Sequence, residues 1–178
     1  VKADQSGDNY TASDLIVAVK AGVKPTLSST QMTFKHKMSR IVIDVTNESG
    51  FDITNIVIKG AVGTGVLDPA TGNFTAKADA EASDLIANTA TANKVYYALL
   101  VPQNGVKLMV TVTTADGKKR TQTLGTADFK SGENRRMECN VQPADIEVKF
   151  SGPITGWVDG DDLLPDGEGE VETPTVEW

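Results

Sequence analysis

Apolar residues in this chain recur mostly at every second position, and this spacing constrains the fold more than any other feature of the sequence. The segment VKLMVTVTT shows it clearly, with one set of alternate positions occupied by Val106, Leu108, Val110 and Val112. Alternation of this kind is typical of a strand with one buried face, and helical periodicity is scarcely seen elsewhere. The chain is therefore predicted to be all-β, with these four side chains facing its core.

A tight hairpin is predicted directly after this strand. The pair Asp116-Gly117 tolerates the positive φ angles that a short hairpin turn requires. The alternating segment that follows, residues 118–124, is predicted to return antiparallel to residues 106–112.

Further strands are predicted from the same pattern at residues 14–19, 31–46, 53–59, 94–101, 135–141 and 146–150. Within residues 31–46 the apolar positions change from even to odd, which predicts a bulge or bend near Ser39 and Arg40. LDPATGNF predicts a turn closed by Gly72. Residues 77–92 are interpreted as a loop with a short strand at 84–86, a helical turn being the alternative. This number of short strands favours a sandwich or barrel.

Acidic residues are concentrated at the C-terminal end, where residues 159–178 contain no lysine or arginine. The eight acids there are Asp159, Asp161, Asp162, Asp166, Glu168, Glu170, Glu172 and Glu177. Because the rest of the chain is nearly neutral, the overall basicity expected of a nucleic-acid-binding protein is missing. The segment is interpreted as a solvated tail. A calcium site is the alternative, although Leu163 stands at the third ligand position of an EF-hand loop.

No candidate catalytic, cofactor or metal residue emerges from the sequence. The single histidine, His36, lies between two lysines with no nucleophile motif to serve, so it is predicted to be structural. Residues 60–65, GAVGTG, lack the lysine and following helix of a phosphate loop. Cys139 has no partner cysteine and is predicted to be a small buried group. Trp157 is predicted to close an end of the sandwich rather than stack on a sugar.

The sequence carries no apolar run long enough to span a membrane as a helix. It opens on VKADQSGDNY, which lacks the apolar stretch of a signal peptide, so any export signal is expected to precede Val1.

Four segments, in order, resemble the fimbrillin-like family of surface pilus subunits and adhesion lipoproteins from anaerobic Gram-negative bacteria. They are SDLIVA at 13–18, TFKHKMSRIVIDV at 33–45, LLVPQ at 99–103 and ITGW at 154–157. The pieces FKHK and VPQ are the most specific.

The resemblance implies a transthyretin-like Greek-key β-sandwich, export to the cell surface and outer membrane as a lipoprotein precursor, and polymerisation with other pilus subunits. In this assembly one subunit donates an extended strand to a groove in the next. Family members usually have a long stretch before the SDLIVA segment, whereas only twelve residues precede it here. The chain is therefore expected to be a fragment or processed form, with the sandwich incomplete at its N-terminal side. Residues 1–152 form the predicted sandwich region, and residues 153–178 the tryptophan-containing strand end and acidic tail.

The end of the tail is the candidate donor strand, because β-branched and aromatic residues return there after the glycine-rich spacer. The candidate contact residues are Val171, Thr173, Thr175, Val176 and Trp178. Pro174 suits only an edge or an interrupted ladder. A tail packed on its own domain is the alternative.

For the function of the whole chain, the alternative is a non-polymerising module that binds a carbohydrate or host protein. The adjacent Tyr96 and Tyr97 weaken this alternative, because at most one of their rings can face solvent.

Overall fold

The computed structural model describes residues 1–24 and 29–157 and is almost entirely β. The helix α1 (Asp8–Thr11) has a single turn. The strands are β1 (Ile16–Val17), β2 (Lys35–His36), β3 (Ser39–Asn47), β4 (Ile53–Val62), β5 (Gly65–Asp68), β6 (Asn73–Ala76), β7 (Ala82–Ile86), β8 (Asn88–Thr91), β9 (Val95–Leu100), β10 (Gln103–Thr114), β11 (Lys119–Phe129), β12 (Glu133–Val141) and β13 (Ile146–Gly156). The predicted all-β class is confirmed.

Two sheets pack face to face as a sandwich. One has four strands in the order β11-β10-β4-β7, and the other has five in the order β13-β12-β3-β9-β8. All neighbours are antiparallel except β12 and β3, which are parallel. Two small ribbons, β1-β2 and β5-β6, lie outside the main sheets. The finer transthyretin-like assignment stays a prediction.

The main core lies between the two sheets. Val106, Leu108, Val110 and Val112 of β10 are all buried in it, as predicted. They face Ile41 and Ile43 of β3 and the even-numbered residues of β9. Since these side chains are buried between the two sheets and away from water, the sandwich interior supplies most of the hydrophobic stabilisation.

A second apolar cluster covers the outer face of the five-stranded sheet. It contains Val42 of β3, Tyr97 and Leu99 of β9, and Tyr10 from α1. The centre of this sheet is therefore buried on both faces, which explains its continuous apolar runs. Tyr96 lies in the main core and Tyr97 in this cluster, so neither ring forms a solvent-exposed platform.

The local turn predictions are confirmed. β10 and β11 pair antiparallel across the Asp116-Gly117 turn, where Gly117 has φ 79°. β5 and β6 form a hairpin closed by Gly72, whose φ is 71°. The predicted bend in residues 31–46 falls at Lys37–Met38, between β2 and β3.

Other strand predictions need correction. The loop predicted at residues 77–92 is wrong for most of its length, because β7 and β8 occupy it; only the short strand at 84–86 was expected there. The strand predicted at 14–19 is regular only at Ile16–Val17. β13 extends beyond the predicted 146–150, so residue 153 lies inside this strand. Among the described residues, no helix is long and apolar enough to cross a membrane.

Candidate assembly surfaces

The edges of the two sheets decide whether this sandwich can pair with another chain, because unpaired backbone groups there can accept an added strand. The edge strands are β11 and β7 in one sheet and β13 and β8 in the other. Side chains and short segments close parts of these edges.

A glutamine closes the side of the sandwich where β11 meets β13. Gln122 Nε2 donates to the carbonyl of Val148 (3.0 Å), and the Val148 N–H donates to Gln122 Oε1 (2.6 Å). Arg120 adds a bond to the carbonyl of Pro143 (2.7 Å). The amide side chain thus satisfies both backbone groups of one residue in the opposite sheet, as a neighbouring strand would.

Gln103 makes the same pair of side-chain bonds between β10 and β4. The Val62 N–H donates to Gln103 Oε1 (3.0 Å), and Gln103 Nε2 donates to the Val62 carbonyl (3.2 Å). The direct ladder between the two strands ends at Lys59. Gln103 therefore replaces the missing ladder where β4 continues beyond it.

The N-terminal residues bridge the two sheets on the side of β7 and β8. The Ile86 N–H donates to the carbonyl of Ala3 (2.7 Å), and the Gln5 N–H donates to the carbonyl of Ile86 (3.0 Å). The Gln5 side chain, fully buried, accepts from the Leu99 N–H (2.7 Å) and donates to the Leu99 carbonyl (2.8 Å). One residue thus bonds to β7 through its backbone and to β9 through its amide.

Among the described residues, the outer edge of β7 has a backbone partner at one residue only. Within the described residues, β7 pairs with β4 and, at Ile86 alone, with the N-terminal segment. Ala82 and Asp84 are exposed. This edge is therefore available to an added strand.

Residues from three of the four family-resembling segments meet in one contact. His36 Nδ1 lies 2.7 Å from Asp14 Oδ2, and the His36 ring stacks on Trp157 with centroids 3.8 Å apart and planes 4° apart. The guanidinium of the buried Arg40 lies 4.8 Å from the Trp157 ring centroid and donates to Asn134 (2.7 Å). This motif cluster ties Asp14 and Trp157 to β2 and β3. The structural role of His36 stays a prediction.

Trp157 lies on the outer face of the five-stranded sheet, packed against the second apolar cluster. It contacts His36 and Arg40 rather than the core between the sheets, so the prediction that it closes an end of the sandwich is wrong. The physical reason is the length of β13, which carries the residue beyond the end of the core.

Burial controls the two most perturbed ionisable groups. It raises the pKa of the Cys139 thiol to about 12, which fits the predicted small buried group. It also raises the pKa of Tyr10 to about 12, where nearby Arg40 partly opposes the effect. Neither group is available as a nucleophile at neutral pH.

An open polar groove of about 1080 Å³ lies beside the end of β3. Asp44, Asn47, Glu138 and Asn140 line it, and Phe51 stands at its wall with 48% of its surface exposed. Asp44 is held there by two bonds from Arg136, both 2.9 Å. The groove has hydrogen-bonding groups and one apolar ring, which suits a small polar ligand.

The candidate donor residues, Val171, Thr173, Thr175, Val176 and Trp178, lie outside the described residues, as does the acidic segment considered for calcium. Among the described residues, no group of three or more potential ligands is placed to hold a metal ion.

The bonding roles of Gln5 and Gln122 are not predictable from the sequence, since a lone glutamine carries no local signal. Gln103 belongs to the VPQ piece, but its bonding role emerges only from the fold.

Comparisons with known proteins agree with this architecture. A candidate cell adhesion protein from Bacteroides ovatus has a similar fold, with a TM-score of 0.59 at 19% identity over 71% of this chain and 48% of that one. A second, from Bacteroides uniformis, gives 0.59 at 14% identity over 71% and 53%. The tip fimbrial protein Mfa3 of Porphyromonas gingivalis, truncated at its C-terminus, gives 0.50 at 10% identity over 70% and 52%. The chain thus spans about half the length of these structures.

The fold is a β-sandwich of the kind found in these adhesion and fimbrial proteins. The sequence profile of the fimbrillin-like family matches residues 1–157, and the chain belongs to that family. No curated protein matches its sequence.

Proposed function

We propose that this chain is a non-catalytic structural subunit of a bacterial surface pilus or adhesion protein, exported to the cell surface and outer membrane as a lipoprotein precursor. Its partners are other pilus subunits, and assembly proceeds by strand exchange. The observation that carries the proposal is the family match over residues 1–157. The fold shared with fimbrial and adhesion proteins adds support. Burial raises the pKa of both Tyr10 and Cys139, so neither group favours a nucleophilic role at neutral pH.

The outer edge of β7 is the proposed acceptor. It presents exposed residues at Ala82 and Asp84, and a strand added there would extend the four-stranded sheet beyond β7. The proposed donor is residues 171–178 of a neighbouring subunit, whose β-branched residues suit a strand. Pro174 cannot donate to the ladder, so it would face away from β7.

The direct test compares the full chain with a variant ending at Gly169. Purified full-length protein is expected to form filaments visible by negative-stain electron microscopy, and the truncated variant is expected to remain monomeric. Filaments of equal number and length from both proteins would rule out the donor segment. A variant with Val171 and Val176 changed to aspartate is the matched control, because it keeps the chain length while removing apolar contacts.

Cysteine cross-linking tests the acceptor edge itself. Ala82→Cys and Thr173→Cys, placed on separate chains and mixed, are expected to form an interchain disulfide under mild oxidation. The natural Cys139 gives no background, because it is buried. Lys119→Cys on β11, the opposite edge of the same sheet, is the control for β7. Equal cross-linking at both edges would contradict β7 as the acceptor.

The polar groove favours one second candidate function, a surface module that binds a carbohydrate or host protein without polymerising. The exposed Phe51 ring beside carboxylate and amide groups provides the contacts that a sugar needs. A glycan array with the wild-type protein and Phe51→Ala separates the two functions. Binding that is lost in Phe51→Ala, in a protein that forms no filaments, would support the module.

A further inference from the structure

The ribbon formed by residues 15–24 and 29–37 combines exposed apolar side chains with uncompensated positive charge. β1 and β2 pair within it, and Lys20 Nζ donates to the carbonyl of Gln31 (3.0 Å), which ties its outer parts together. Five of the eight large apolar side chains exposed in the described residues belong to this ribbon: Ile16, Val19, Val23, Met32 and Phe34. Scattered exposed apolar residues are ordinary, but a concentration of this kind indicates a contact surface.

The charge of the ribbon is of one sign. No aspartate or glutamate occurs from residue 15 to residue 43. Four lysines of the ribbon are exposed or partly exposed and form no ion pair with a carboxylate of the described residues: Lys20, Lys24, Lys35 and Lys37. The nearest acid in sequence, Asp14, is bonded to His36. An occupant of this surface must therefore be acidic and partly apolar.

Residues 159–178 have this chemistry. They hold eight carboxylates and no base, together with Leu163, Leu164, Val171, Val176 and Trp178. Trp157, two residues before the segment, lies beside the ribbon, because its ring stacks on His36 of β2 and its N–H donates to the carbonyl of Gly132 (2.7 Å). Ile16 is the cross-strand partner of His36, so it lies on the ribbon face that Trp157 contacts.

We propose that the acidic segment 159–178 docks on the ribbon of its own chain. Its carboxylates lie against the four ribbon lysines, and its apolar residues cover the exposed apolar side chains. Docking on the same chain is favoured over docking on a second copy, because the segment begins within two residues of Trp157. A short connection gives an effective concentration in the millimolar range, well above that of a free second copy. The contact does not depend on the proposed filament assembly, although it would hold residues 171–178 back until a neighbour displaced them.

Protease protection in the full chain tests the contact. A glutamate-specific protease is expected to cut after Glu168, Glu170 and Glu172 slowly at low salt and faster at high salt, where the charges are screened. The double variant Lys24→Gln/Lys35→Gln is expected to raise the low-salt cleavage rate roughly two- to thirtyfold, as the loss of two surface ion pairs allows. Lys107→Gln/Lys119→Gln, which removes the same charge from exposed positions on β10 and β11, should leave the rate unchanged.

Equal cleavage rates in the wild type and both variants would overturn the docking. Carbodiimide cross-linking of an equal mixture of unlabelled and ¹⁵N-labelled chains tests which chain is the partner. Cross-links from the ribbon lysines to residues 159–177 are expected within a single isotopic species. Mixed-isotope cross-links would overturn docking on the own chain, and cross-links spread evenly to Lys107 and Lys119 would overturn the ribbon as the site. Filament formation in the same samples reports separately on the proposed function.

Discussion

Replacing Gln5 with alanine removes the side chain that joins the N-terminal segment to the five-stranded sheet. Gln5 is fully buried, and its amide bonds to both backbone groups of Leu99, which is also fully buried. The two residues are 94 positions apart, so no local structure can restore these bonds. Alanine leaves one buried N–H and one buried carbonyl without a partner.

The expected loss of stability follows from these two groups. An unsatisfied buried donor or acceptor costs about 1–3 kcal/mol, which gives roughly 2–6 kcal/mol for the pair. Releasing the ordered glutamine side chain returns up to about 2 kcal/mol of conformational entropy. From the middle of that range, about 4 kcal/mol, less up to about 2 kcal/mol returned, the free energy of unfolding should fall by about 2–4 kcal/mol, and the melting temperature by about 4–16 °C for a domain of this size.

Urea denaturation followed by tryptophan fluorescence measures the global change, and amide hydrogen exchange at Leu99 measures the local one. Leu99 is expected to lose most of its protection in Gln5→Ala. Gln122→Ala is the matched control, because Gln122 makes the same pair of bonds at a half-buried position where water can enter. Its cost should be smaller, about 0.5–1.5 kcal/mol.

A stability loss below about 0.5 kcal/mol in Gln5→Ala, with Leu99 still protected, would refute the reasoning. Gln5→Glu provides a second check of the hydrogen-bond pattern. A carboxyl group can replace the amide only when it carries its proton, because a carboxylate cannot donate to the Leu99 carbonyl. This variant should therefore gain stability relative to Gln5→Ala as the pH falls towards about 4. A variant with no such pH dependence would contradict the donor assigned to Nε2.

Three further predictions concern the core and the motif cluster. Leu108→Ala, at a fully buried site, should lower the free energy of unfolding by about 2–5 kcal/mol in urea melts; a loss below about 0.5 kcal/mol would contradict the core assignment. Because burial raises the pKa of Cys139 from its ordinary value of about 9 to about 12, the folded state favours the protonated thiol, and its contribution to stability is lost as the pH rises from 9 to 12. The native thiol should resist a disulfide reagent at about pH 8 and react fully in urea; rapid reaction of the folded chain would contradict its burial. His36→Ala should reduce thermal stability without changing any hydrolytic rate, whereas loss of a measurable hydrolysis would show a catalytic role.

The strands that alternate strongly were predictable, and those held by distant partners were not. β10 and β11 carry their own signals, since the apolar period and the Asp116-Gly117 turn are local. β7 and β8 consist largely of alanine, threonine, aspartate and asparagine, which have weak or mixed strand preferences. They become strands because β4 and β9 offer backbone partners. The parallel pairing of β12 with β3 also joins segments far apart in sequence, so no local pattern indicates it.

The residues on which the family resemblance rests hold the ends of the described chain. Asp14, His36 and Trp157 come from three separate segments and meet beside β2, while Gln103 of the fourth closes the gap between β10 and β4. None of these contacts forms a pocket with a reactive group. The motif cluster therefore fixes Trp157 beside β2, and the proposed contacts of the acidic segment with its own chain or with a neighbour start from this fixed position.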